Sequence, residues 1–227
     1  MHKRLFKNFL LLPSKSDRAD RGTGSRAPLG WLCFAVTLTM ISSCAKPDWH
    51  FGTSGKYNEA NTELIRGRAA DVDKAINALQ VVVQSDPTYR DSLTLLAKAY
   101  YRKGRYQETY AFAQRAIAVN KDDEIAWLLL GLAQLRLGDN AKGLESIKGG
   151  LTLTAKAMRE EYRGYPTWDP RKTVRGTLNR AVFQALKGLD EKENLIQINE
   201  QLITRIDAEE YAQRQDKTVE KATAADD

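Results

Sequence analysis

The sequence predicts an all-α solenoid of stacked helical hairpins, and three observations carry that prediction. A pattern recurs at an offset of 34 residues: Leu96-Ala97 returns as Leu130-Gly131, Gly104 as Gly138, Ala116 as Gly150, Ile117 as Leu151 and Val119 as Leu153. Inside each copy the apolar residues keep helical spacing, with Leu93, Leu96, Ala97 and Tyr100 on one face and Ala113, Ala116 and Ile117 on another. Gly104 and Gly138 stand between the two faces, where a helix ends. A hairpin made this way leaves one oily side uncovered, so copies must stack.

The clearest copies run over residues 90–123 and 124–157. A more degenerate copy precedes them, marked by Ala75-Ile76, Leu79, Val82-Val83 and Asp86-Pro87. Its polar opening, YNEANTELIRGRA, suits a terminal repeat that must turn one face to water. The 34-residue period and the recurring small residues resemble the tetratricopeptide repeat (TPR). Trp127 stands at that family's tryptophan position, Leu93 takes the equivalent place one copy earlier, and only the first copy keeps a closing proline, Pro87. The resemblance implies a TPR-type helical hairpin solenoid of three repeats over residues 57–157. Gly149-Gly150 inside a helix costs about 1 kcal/mol per glycine relative to alanine. The alignment of Gly150 with Ala116 implies close helix approach as the compensation.

Residues 158–207 read as a loop followed by a divergent helical hairpin that covers the open end of the stack. The loop holds Gly164-Tyr-Pro-Thr-Trp-Asp-Pro-Arg171, whose prolines break the preceding helix. Val174, Leu178, Ala181-Val182, Ala185-Leu186 and Leu189 then form one helical stripe, and Leu195, Ile198, Leu202 and Ile206 another. Residues 208–227 are polar and are expected to be disordered.

The first 43 residues read as a secretion leader. A basic stretch leads into the apolar run Trp31–Ile41, about half of the roughly 20 residues that span a bilayer. Ile41-Ser42-Ser43-Cys44 resembles the lipobox of bacterial lipoprotein signals, which implies cleavage before Cys44 and acylation of that residue. Ala45 in the next position implies, by the enterobacterial sorting rule, the periplasmic face of the outer membrane. An ordinary signal peptide with an incidental cysteine is the competing reading. Residues 44–56, with Pro, Gly and Ser, read as a flexible tether.

The net charge of +6 does not point to nucleic acid, because it is unevenly placed. Residues 1–44 hold seven basic side chains against Asp17 and Asp20, so the leader carries +5 and the rest of the chain only +1. Chemistry is equally poorly supplied. The histidines are His2 and His50 and the cysteines Cys33 and Cys44, so neither a histidine metal site nor a disulfide framework can form in the repeats. No phosphate loop or calcium loop is present either. A non-enzymatic binding module without metal or cofactor is the expectation, with an envelope protein or peptide as partner, membrane attachment through Cys44, and self-association through the exposed repeat face as a further option.

In TPR stacks the first helix of each pair lines a concave groove. The resemblance therefore assigns Lys98, Tyr101, Arg102, Leu128, Leu132, Leu135 and Arg136 to a partner-binding face suited to an apolar peptide bearing a carboxylate. The second reading has the terminal hairpin covering these leucines and leaves the cations solvated. Tyr165 and Trp168, with Tyr162, are candidate contact anchors on the loop, or else pins that hold it to its own domain. A periplasmic enzyme or small-ligand receptor, with a pocket between the repeats and the terminal hairpin, is the alternative function.

Overall fold

The computed structural model describes residues 52–66, 71–160, 162 and 167–223, with side chains as far as 215. Among these the chain forms eight helices and no strand: α1 (Thr53–Ile65), α2 (Val72–Ser85), α3 (Ser92–Arg102), α4 (Tyr106–Val119), α5 (Glu124–Leu137), α6 (Asn140–Arg159), α7 (Thr173–Lys187) and α8 (Lys192–Thr223). The leader, Cys44 and residues 44–51 of the tether lie outside the described residues. No described helix is long and apolar enough to cross a membrane.

Consecutive helices pack as hairpins and the hairpins stack in sequence order, α1 with α2, α3 with α4, α5 with α6 and α7 with α8. Gly104 and Gly138 both take positive φ, +71° and +92°, and let the chain turn out of α3 and α5. Asp71 caps α2 by accepting from the Lys74 amide at 3.0 Å. The tether reading ends too late, since α1 already begins at Thr53.

Helix α5 is apolar around its whole circumference, with Ile125, Leu128, Leu129, Leu130, Leu132 and Leu135 all buried. A helix without a polar face must be enclosed. Here α3, α4, α6 and α8 surround it. Toward α6 the approach is at backbone range: a Cβ on Gly131 would lie 2.8 Å from the Gly143 carbonyl oxygen, and one on Gly150 would lie 2.9 Å from the Leu128 amide nitrogen. Gly150 thus offsets its low helix propensity by letting two helices touch.

Asp123 joins two repeats. Its Oδ1 accepts from the Ala126 amide (2.9 Å), capping α5, and its Oδ2 accepts from the Thr94 hydroxyl of α3 (2.5 Å). Burial pushes the Asp123 carboxyl pKa up, against the pull of these two hydrogen bonds. An unfolded aspartate titrates at about 3.9, so the cost of charging the buried group is absent below that pH and grows as pH rises through the raised folded value. Asp123→Asn keeps the cap acceptor without the charge. Thermal melts across pH are expected to show this variant at least as stable as the parent at neutral pH, with a flatter dependence above about pH 4, whereas Asp123→Ala should lose about 1 kcal/mol.

Between α6 and α7, the described residues Tyr162 and Trp168 are held inward. Tyr162 and Trp168 are both buried and their rings stack at 4.4 Å, while the Tyr162 hydroxyl donates to Glu124 Oε1 at 2.5 Å. Asp169, also buried, then starts α7 by accepting from the Val174 and Arg175 amides at 3.1 and 2.8 Å.

Helix α8 does not stop near residue 207. It continues to Thr223 where the composition suggested disorder. Ala, Glu, Gln and Arg are good helix formers, and pairs four residues apart, Glu209 with Gln213 and Glu210 with Arg214, bridge successive turns. Gln213 also donates to the Thr167 carbonyl at 3.3 Å, tying this extension to the loop.

Candidate functional site: the concave face and its resident helix

The inner face of the stack is made by α1, α3 and α5, and α8 lies along it. Leu195, Ile196, Leu202, Ile203 and Ile206 of α8 are buried and join the same apolar cluster as α5. Three acidic side chains of α8, spaced by seven residues so that they share a face, meet the cations of the repeats. Glu193 and Glu200 accept from Arg136 (3.1 and 3.2 Å), Glu200 also accepts from the Tyr101 hydroxyl (2.5 Å), and Asp207 accepts from Lys98 (2.6 Å) and Arg102 (3.4 Å). A second guanidinium nitrogen of Arg102 donates to the Leu64 carbonyl of α1 at 2.5 Å. These pairs register α8 against two successive repeats.

The electrostatics follow from that packing. Burial raises the Tyr101 pKa, and its hydrogen bond to Glu200 adds to the rise. Burial opposes the charge on Arg136, but hydrogen bonds to Tyr101 and Glu200 outweigh it and hold the guanidinium protonated. Lys98 is only 8% exposed, so removing Asp207 would strand a buried charge.

The groove residues assigned from the sequence therefore divide. Lys98, Tyr101, Arg102 and Arg136 do come together on the inner face, but as partners of α8 rather than as solvated or free cations. Leu132 faces the same side. Leu128 and Leu135 do not: they pack against α6, where added Cβ atoms on Gly150 and Gly143 would meet them at 2.9 and 2.7 Å. Trp168 is not an exposed contact residue, being 9% exposed and stacked on Tyr162. Tyr165 lies outside the described residues.

What α8 leaves open is a pocket of about 510 Å³ between α3, the start of α4, α5 and α8. Leu129, Leu132 and Ile203 line its apolar side; Lys98 and Arg102, both paired with Asp207, and Lys103, paired with Asp73, line its polar side, and Tyr101 and Tyr106, with ring centroids 5.5 Å apart, form an aromatic wall. Its size is that of a site for a small ligand or a single large side chain. Sequence reasoning missed Tyr106, Leu129, Glu200 and Ile203. The available signal was the seven-residue spacing of Glu193, Glu200 and Asp207 beside an apolar stripe.

Among solved structures the chain is similar to the first TPR of Spaghetti (RPAP3) bound to HSP90 peptide SRMEEVD, at 20% identity and a TM-score of 0.42, over 49% of this chain and 88% of that one. It is also similar to the Sgt2 TPR domain from Aspergillus fumigatus, at 21% identity and a TM-score of 0.41, over 61% and 83%. No curated protein matches the chain. The family model described as anaphase-promoting complex, cyclosome, subunit 3 matches residues 69–149, most of the stretch from α2 to α6. The described residues form an all-helical stack of hairpins, an α-solenoid.

Proposed function

We propose that this protein is an interaction module of the bacterial cell envelope, held on the periplasmic face of the outer membrane by acyl chains on Cys44, and that its pocket between α3, α5 and α8 grips an apolar side chain or chain end of a partner protein. The observation that carries the reading is the pocket itself, which sets aliphatic side chains beside the Tyr101 and Tyr106 rings on the inner face next to α8. A hydrolytic or acid–base enzyme would need convergent titratable groups. The one carboxylate lining this pocket, Glu200, already accepts hydrogen bonds from Tyr101 and Arg136.

Two measurements test the two halves. A photo-crosslinking side chain in place of Tyr106 should trap a discrete envelope partner in cells, and Thr204→Trp, which fills the mouth, should abolish the adduct without lowering Tm. An adduct that persists with the pocket filled places the partner elsewhere. Cys44→Ser should abolish incorporation of a fatty-acid label while leaving the protein folded; a label retained by the variant would remove the anchor.

A further inference from the structure

The outer face of α7 carries a surface that the pocket does not use. Its inner face, Val174, Thr177, Leu178, Ala181, Gln184 and Ala185, is buried. The outer face exposes Arg171 and Lys172 at the helix start, then Arg175, Asn179, Arg180, Val182, Phe183, Leu186 and Lys187. From residue 171 to 189 there are five cations and no carboxylate, whereas the chain after residue 44 carries only +1 in all. Phe183 and Leu186 are 62% and 74% exposed, large values for apolar side chains beside one another on a helix. The first carboxylates beyond, Asp190 and Glu191, lie past the helix end, and Glu191 is engaged by Lys187 (3.2 Å) and Asn194 (2.6 Å).

From this juxtaposition of projecting apolar side chains and a run of cations, of which Lys187 is paired with Glu191, we infer that the outer face of α7 docks on an anionic lipid surface, lying flat with Phe183 and Leu186 in the interface. The geometry favours a bilayer over an acidic protein. The crevice beside these residues, about 310 Å³, is lined by Phe183 and Ile198 as well as Arg180, Gln184, Asn194, Gln197 and Gln201, and Leu186 lies outside it. Phe183 and Leu186 stand out rather than recede, which suits insertion among acyl chains, and long cationic side chains along the helix can reach headgroups while their stems stay in the interface. A second copy is disfavoured because this face would meet its own like charge. The inference does not need the Cys44 anchor, although anchoring would raise the local concentration of the lipid surface and let a weak contact suffice.

The test uses the full chain with Cys33→Ser, Cys44→Ser and Val182→Cys, the new thiol carrying an environment-sensitive fluorophore. Because the readout is local to α7, it answers separately from any attachment through the leader. With phosphatidylglycerol vesicles the emission should shift to the blue and be quenched by spin labels on the acyl chains, with little response to phosphatidylcholine vesicles. Arg175→Glu with Arg180→Glu should weaken the response at least about fivefold for each cation lost, and Phe183→Ser with Leu186→Ser should remove the acyl-chain quenching. A label that stays in water with phosphatidylglycerol, or responds equally to both lipids, overturns the inference. So does a shift that needs no vesicles and grows with protein concentration, which would assign the face to a second copy, or one produced only by an acidic polypeptide.

Discussion

Gly150→Leu is expected to abolish the cooperative fold or lower its melting temperature by roughly ten degrees or more. A Cβ at this position would lie 2.9 Å from the Leu128 side chain and, more seriously, 2.9 Å from the Leu128 backbone nitrogen, which cannot rotate away. The only relief is to part α5 from α6, and α5 is the helix on which most of the core converges. Overpacking commonly costs about 1–3 kcal/mol where side chains can yield; with backbone as the obstacle the upper end or beyond is expected, against a total stability of about 5–15 kcal/mol. Gly149→Ala is the control, because its Cβ would meet only the Trp127 ring at an ordinary 3.7 Å. It should leave stability unchanged or raise it by up to about 1 kcal/mol through helix propensity. Differential scanning calorimetry of the two variants checks both expectations. An unaltered Tm for Gly150→Leu would mean that the two helices are not in contact.

Ending the chain after Asp190 is expected to have an effect of similar size. That truncation removes Leu195, Ile196, Leu202, Ile203 and Ile206 from the core and uncovers Leu132. At about 1.5–3 kcal/mol for each buried aliphatic side chain, the loss rivals the whole stability of a domain. It also strands Lys98, which is buried with Asp207 as its partner. The truncated chain should therefore be unfolded or aggregated by circular dichroism and size-exclusion chromatography. A folded, soluble product with an open groove would instead make α8 a detachable occupant, and the concave face a full-length peptide channel.

These two expectations draw on parts of the structure that differ in how far the sequence reveals them. The hairpin stack is legible because its determinants are local and periodic: Gly104 and Gly138 adopt the positive φ their spacing implied, and Gly150 faces a neighbouring backbone as its alignment with Ala116 implied. The direction of individual leucines in α5 is not legible. Periodicity identifies a buried face by contrast with a polar one, and a helix with apolar residues on every side gives no contrast. Leu128 and Leu135 therefore turn toward α6 while Leu132 reaches the pocket. The path of α8 is hidden for another reason. Lys98 and Asp207 are 109 residues apart, and no local propensity records which repeat a distant helix will meet. The extension beyond residue 207 is not legible from polarity, which alone argues for a solvated segment, whereas Glu210–Arg214 and Glu209–Gln213 pairs favour helix in the same composition.

The concave face of the solenoid is built around its own last helix, leaving a single-residue pocket in place of an open peptide channel. Amide hydrogen exchange on the full chain tests it most directly. The amides from Leu195 to Ile206 are expected to exchange only with global unfolding, as slowly as those of α5. Exchange of that segment at the rate of a frayed surface helix, while α5 stays protected, would contradict it.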